Sequence, residues 1–171
     1  MRYIRQKTEW SCGPICIINA MKWCGLSATY AKDYRRICES CNHTPGEGTE
    51  HLDLHRSIVA NLGDLCTIKS IGNLKIDTLA RHVEHKDRAA LVSYAYPLSV
   101  CKEYGMDVSH IFFCESYNST HKAFSIANLI PEIKELNKYS IFPRWLLVRF
   151  MRNRREFYST RHPFAWLLRK R

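Results

Sequence analysis

Apolar positions recur at helical spacing through the first part of the chain and give way to short apolar runs later. Ile17, Ile18, Met21 and Trp23 or Cys24 predict a helix over 12–24. Pro14 suits its first turn, where a missing N–H costs nothing, and Gly25 suits its stop. A second helix is predicted over 27–39, then a turn-rich stretch over 41–49 with Pro45, Gly46 and Gly48. Thr49 reads as the N-cap of a helix over 51–62 that Gly63 ends. A short strand over 65–70, a helix over 73–85 and a strong strand over 89–96 follow. Residues 110–116 and 122–127 read as a β-hairpin around a turn at 117–120. The rest holds two amphipathic basic segments, 143–157 and 163–171, expected as helices. Helices first and strands later is the order of an α+β fold.

The length of 171 residues, with 46% hydrophobic and 25% charged residues, is ordinary for one globular domain. No apolar run reaches the roughly 18 residues a spanning helix needs, and the first ten residues lack the apolar stretch of a secretion signal. The expected compartment is therefore the cytoplasm, and the eight cysteines are expected as thiols. The formal charge is +10, unevenly spread: residues 132–171 hold 11 Lys/Arg against 3 Glu, a net of +8. The chain accordingly divides into a nearly balanced domain, 1–131, and a basic, aromatic-rich helical extension, 132–171, packed on it. The extension points to an anionic partner, nucleic acid or an acidic protein.

Candidate chemistry starts at Cys12. A cysteine opening a helix gains partial positive charge that favours its thiolate, and nearby backbone N–H groups that can hold an oxyanion. Gln6, six residues earlier, is the candidate side-chain amide donor, and Gly13 lets a substrate carbonyl come close. A thiolate needs a proton partner with a pKa near neutrality, and His110, opening a strand, is the best placed of the eight histidines. A third group should hold the ring. If the hairpin turn centres on Ser119, Asn128 falls opposite His110 and is the favoured orienting residue. Asp107 and Asn118 are the alternatives.

Gln6, Cys12-Gly13-Pro14 with its helix, Gly48-Thr49 before a helix ending in Leu62-Gly63, and His110 at a strand start resemble the bacteriocin-processing peptidases. These are small papain-like domains that cleave leader peptides after a double glycine. The resemblance covers about residues 3–131. It implies a papain-like fold, Cys12 as nucleophile, His110 as base, Gln6 as oxyanion donor and Asn128 as orienting residue. The family more often has an Asp followed by Pro at the third position, where this chain has Asn128-Leu129.

The expected reaction is acyl transfer to sulfur and then to water: a cysteine peptidase acting on a peptide or protein substrate, without cofactor or metal. An acyltransferase or transglutaminase-like enzyme keeps the same site with another acceptor. A nucleic-acid-binding protein on a peptidase scaffold is the reading from a different class. Cys38-x-x-Cys41 with His51 and His55 four apart on a helix also invites comparison with a zinc site or a redox pair. The interval between Cys41 and His51 is shorter than in the common zinc finger.

Overall fold

The structure, a computed structural model, describes residues 3–8, 10–95, 109–128, 140–152 and 164–171. Its first helix, α1 (Cys12–Trp23), has ten of its twelve residues buried. A helix that is apolar nearly all round belongs inside a protein. It closes on a Schellman turn: Gly25, at φ +96°, donates its N–H to the Lys22 carbonyl and Leu26 donates to Met21. Helix α2 (Tyr30–Ser40) starts at Thr29, whose hydroxyl accepts from the Lys32 N–H while Asp33 accepts from the Thr29 N–H. Helix α3 (His51–Leu62) has Glu50, not Thr49, at its N-cap. The Thr49 hydroxyl is taken by the His43 ring at 3.0 Å and the Cys41 thiol at 3.8 Å.

Strand β1 (Cys66–Ile71), helix α4 (Ile76–Val83), strands β2 (Arg88–Ala95), β3 (Ser109–Asn118), β4 (Ala123–Ala127) and β5 (Ser140–Pro143), helix α5 (Arg144–Arg152) and strand β6 (Phe164–Lys170) complete the order. The six strands form one antiparallel sheet in the order β1-β6-β2-β3-β4-β5. Helices lie on both faces. Ile111, Phe113, Leu91 and Trp166 pack against α1 and α3. Phe112, Val92, Phe124 and Leu167 pack with Leu79 of α4 and Leu147 of α5. The class is α+β, as expected.

Two expectations change. Residues 164–170 form a strand, not a helix, and it lies between β1 and β2. Ala165, Trp166, Leu167 and Leu168 are all buried, so both faces of this strand are covered. A strand buried on both faces reads as a continuous apolar run, which periodicity alone cannot tell from a helix. The hairpin register also shifts. Tyr117 and Asn118 belong to β3, and Asn118 pairs with Ala123. The Asn118 side chain accepts the His121 N–H at 2.9 Å and so closes the turn two residues later than expected. With a bulge between Cys114 and Ser116, the last pair is Phe113 with Ala127, and Asn128 lies beyond the paired strand rather than opposite His110.

Candidate active site

Residues 3–8 run along α1 and tie it to β3. The Tyr3 hydroxyl donates to Glu115 at 2.6 Å, and its ring meets Phe113. One residue on, the Asn19 side chain of α1 clasps Ile4, accepting from its N–H at 2.7 Å and donating to its carbonyl at 3.1 Å. Asn128 clasps the same segment further along: its Nδ2 donates to the Ile4 carbonyl at 2.9 Å, and its Oδ1 accepts from the Gln6 N–H at 3.2 Å. Ser11 then turns the chain into α1, its N–H reaching the Thr8 carbonyl. The run from Tyr3 to Thr8 thus passes from the Asn19 end of α1 to its N-terminus, and from Glu115 of β3 towards His110. The thiol of Cys16, one turn after Cys12, reaches the carbonyl of Ile111 at 3.3 Å. The half-buried Cys12 therefore stands at the His110 end of β3.

His110 is buried, with 1% of its surface exposed. Its ring meets that of its register partner Tyr94 edge-on at 5.6 Å. Its Nε2 donates to the backbone carbonyl of Asn128 at 2.7 Å. That bond assigns the proton to Nε2 and leaves Nδ1 as the basic nitrogen. Burial lowers the imidazole pKa to about 4, against the opposing pull of the Asn128 carbonyl. The ring is neutral at neutral pH.

Asn128 holds φ +58°, a left-handed backbone that asparagine accepts more readily than most residues. That turn lets one residue reach both ways, its side chain to Gln6 and Ile4 and its carbonyl to His110. The orienting bond expected of its side chain is thus made by its backbone. Asn118 is at the other end of the hairpin, closing the turn. Asp107 lies outside the described residues.

Gln6 is buried, and its Nε2 donates to the Thr8 carbonyl at 2.7 Å. The Ser11 hydroxyl donates to the same carbonyl at 2.8 Å. Ser11 therefore does not cap α1 with its side chain, and Pro14 brings no N–H of its own. Gly13 has a role besides the one expected. A Cβ there would come within 3.1 Å of Leu54 Cδ1 and 3.4 Å of Thr49 Oγ1, so the glycine lets α3 sit against the start of α1.

The residues weighed for zinc are engaged separately. His55 Nδ1 accepts the Trp166 indole N–H at 2.8 Å, and the His51 ring stacks on the same indole. Cys41 faces Thr49, and Cys38 neighbours the Tyr34 side chain. Among the described residues no group of three or more His, Cys, Asp or Glu side chains converges, and no helix is long and apolar enough to cross a membrane. An open groove of about 540 Å³, lined by His121, Lys122, Arg144 and Trp145, lies at the hairpin turn, the opposite end of β3 from His110.

No family model matches the sequence, and no curated protein does. Solved structures do. The peptidase domain of Streptococcus ComA, a bi-functional ABC transporter in a quorum-sensing pathway, is 15% identical with a TM-score of 0.62, over 99% of this chain and 98% of that one. A double glycine motif protease from an AMS/PCAT transporter, in complex with its leader peptide, is 10% identical with a TM-score of 0.59, over 99% and 91%. The fold is therefore that of the papain-like, bacteriocin-processing type of peptidase domain. At these identities the likeness establishes the fold, and the chemistry rests on the residues above.

Proposed function

We propose that this chain is a cysteine peptidase that cleaves a peptide through a thioester on Cys12. The observation that carries the reading is the hydrogen-bonded chain from Gln6 through Asn128 to His110, laid along the same end of β3 as the N-terminus of α1. In this reading His110 Nδ1 takes the Cys12 proton as sulfur attacks the scissile carbonyl, and returns it to the leaving amine. The tetrahedral oxyanion is held by the first-turn N–H groups of α1 and by the amide of Gln6. Water then releases the acid and restores the thiol. With its pKa near 4, the His110 imidazole rests neutral and can take up the Cys12 proton as attack proceeds.

The neighbour bound to a leader peptide supports a peptide substrate, and a peptide with a double glycine before the cleaved bond is the first to try. The test measures cleavage together with the rate at which chloroacetamide labels each cysteine. Cys12 should label fastest, and His110→Ala should abolish both cleavage and preferential labelling. Gln6→Ala should cut turnover by about a hundredfold to a thousandfold with labelling kept. Equal labelling of Cys12 and Cys38, with no cleavage, would sink the reading. A second, anionic partner is supported by the net charge of +8 over residues 132–171 and by Lys122 and the exposed Trp145 around the groove at the hairpin turn, where Arg144 is already paired with Asp77.

A further inference from the structure

A pair of cysteines meets at the opposite end of α1 from Cys12. Cys24 is the C-cap residue of α1 and Cys66 the first residue of β1. Cys24 packs against the core cluster that holds Cys66, and each thiol shifts the pKa of the other. Cys66 is buried, and its thiol donates to the Leu62 carbonyl at 3.4 Å. Cys24 is half-buried, so the pair has one accessible and one covered member.

The C-terminal strand brings two cations to them. Lys170 is the register partner of Cys66, and its ammonium lies 4.5 Å over the ring of Trp23, the residue before Cys24. Arg171, which donates its N–H to the Leu65 carbonyl, adds the second charge beside Cys66. The neighbouring Cys66 thiol lowers the Cys24 pKa most; burial opposes it, and Lys170 adds to it. The other paired cysteines differ. Cys38 and Cys41 are both pushed up by burial, and Cys16 is raised by burial and by Cys12. Thiolate character and access are what peroxide selects.

We propose that Cys24 and Cys66 form a peroxide-sensitive thiol pair that closes to a disulfide between the end of α1 and the start of β1. The thiolate of Cys24 attacks one oxygen of hydrogen peroxide. The O–O bond breaks, hydroxide leaves and takes a proton to become water, and Cys24 becomes a sulfenic acid. The Cys66 sulfur then attacks the Cys24 sulfur. An S–S bond forms, the S–O bond breaks, and the hydroxyl departs with the Cys66 proton as a second water. Two thiols and one peroxide give one disulfide and two waters, the sulfurs losing the two electrons that the peroxide gains.

The experiment treats the full-length Cys12→Ala chain with hydrogen peroxide, so that the thiol of the candidate active site does not enter. Free thiols are counted, and peptides are mapped without reduction. The count should fall by two, with Cys24 and Cys66 in one cross-linked peptide pair that dithiothreitol reopens. In a Cys66→Ala background the cross-link should vanish and a cyclic diketone should capture the sulfenic acid at Cys24. In a Cys24→Ser background, a mild change at a half-buried site, Cys66 should stay a thiol. Oxidation of Cys66 without Cys24, a cross-link from Cys24 to a different cysteine, or a Cys24 that oxidises no faster than buried Cys114 would each overturn the proposal. No arm reads peptide cleavage, so the pair and the peptidase reading stand or fall separately.

Discussion

His110 carries the sharpest pH dependence that can be assigned to one residue. Its folded pKa of about 4 lies below the ordinary histidine value of 6.5. Above pH 6.5 the ring is neutral folded or unfolded and adds no pH dependence. Between 6.5 and 4 the unfolded chain takes up a proton that the folded chain refuses, so stability falls as the pH is lowered. Below about 4 both forms are protonated and the loss is complete, on the order of 3 kcal/mol. Denaturant titrations of wild type and His110→Gln across this range should differ in slope, with the variant flatter; parallel curves would mean that the ring titrates normally. Asn128→Gly refines the test. Glycine keeps the left-handed backbone and the carbonyl that meets His110, but drops the bonds to Ile4 and Gln6. The His110 titration should be kept and cleavage reduced, through a displaced Gln6.

Two tryptophans separate the elements of the basic segment. Trp145 of α5 is 67% exposed, whereas Trp166 of β6 is fully buried among Phe164, His51 and His55. Trp166→Ala should cost about 3 to 5 kcal/mol through the cavity it leaves, and it also strands the His55 lone pair that accepts the indole N–H. Trp145→Ala should change stability by less than about 0.5 kcal/mol. Thermal or denaturant unfolding of the two variants decides it, and equal losses would contradict the placement of β6. Much of this was legible in local pattern. The predicted ends of the 12–24 and 51–62 helices fall within a residue of α1 and α3, because each is long enough to show its apolar spacing and Gly25 or Gly63 marks the stop. The helix predicted at 163–171 failed because the five-residue apolar run from Phe164 to Leu168 has no period of its own.

For the whole molecule, the strand order makes β6 the bridge between β1 and β2. Removing residues 164–171 should therefore unfold the protein, because it opens the sheet along two strand pairs and takes Trp166 and Leu168 from the core beneath α1 and α3. Circular dichroism of the truncated chain, showing loss of cooperative melting, is the expected result. A truncated chain that melts as wild type does would show that residues 1–163 suffice as a domain.

Residue type and short spacing by themselves determined what could act: a cysteine beginning a helix, a glutamine six residues before it, a histidine beginning a strand, and the α+β order of elements. Those properties depend on nearest neighbours along the chain, and they are written there. The tertiary structure alone decided which part of Asn128 meets His110, because the hairpin register depends on the Asn118 turn and the bulge after Cys114, both set by side-chain hydrogen bonding and packing. It alone placed Lys170 beside Cys66 and Cys24, and the last strand in the middle of the sheet. Such contacts join residues about seventy or more positions apart, and no local period records which strand a chain will choose as its neighbour.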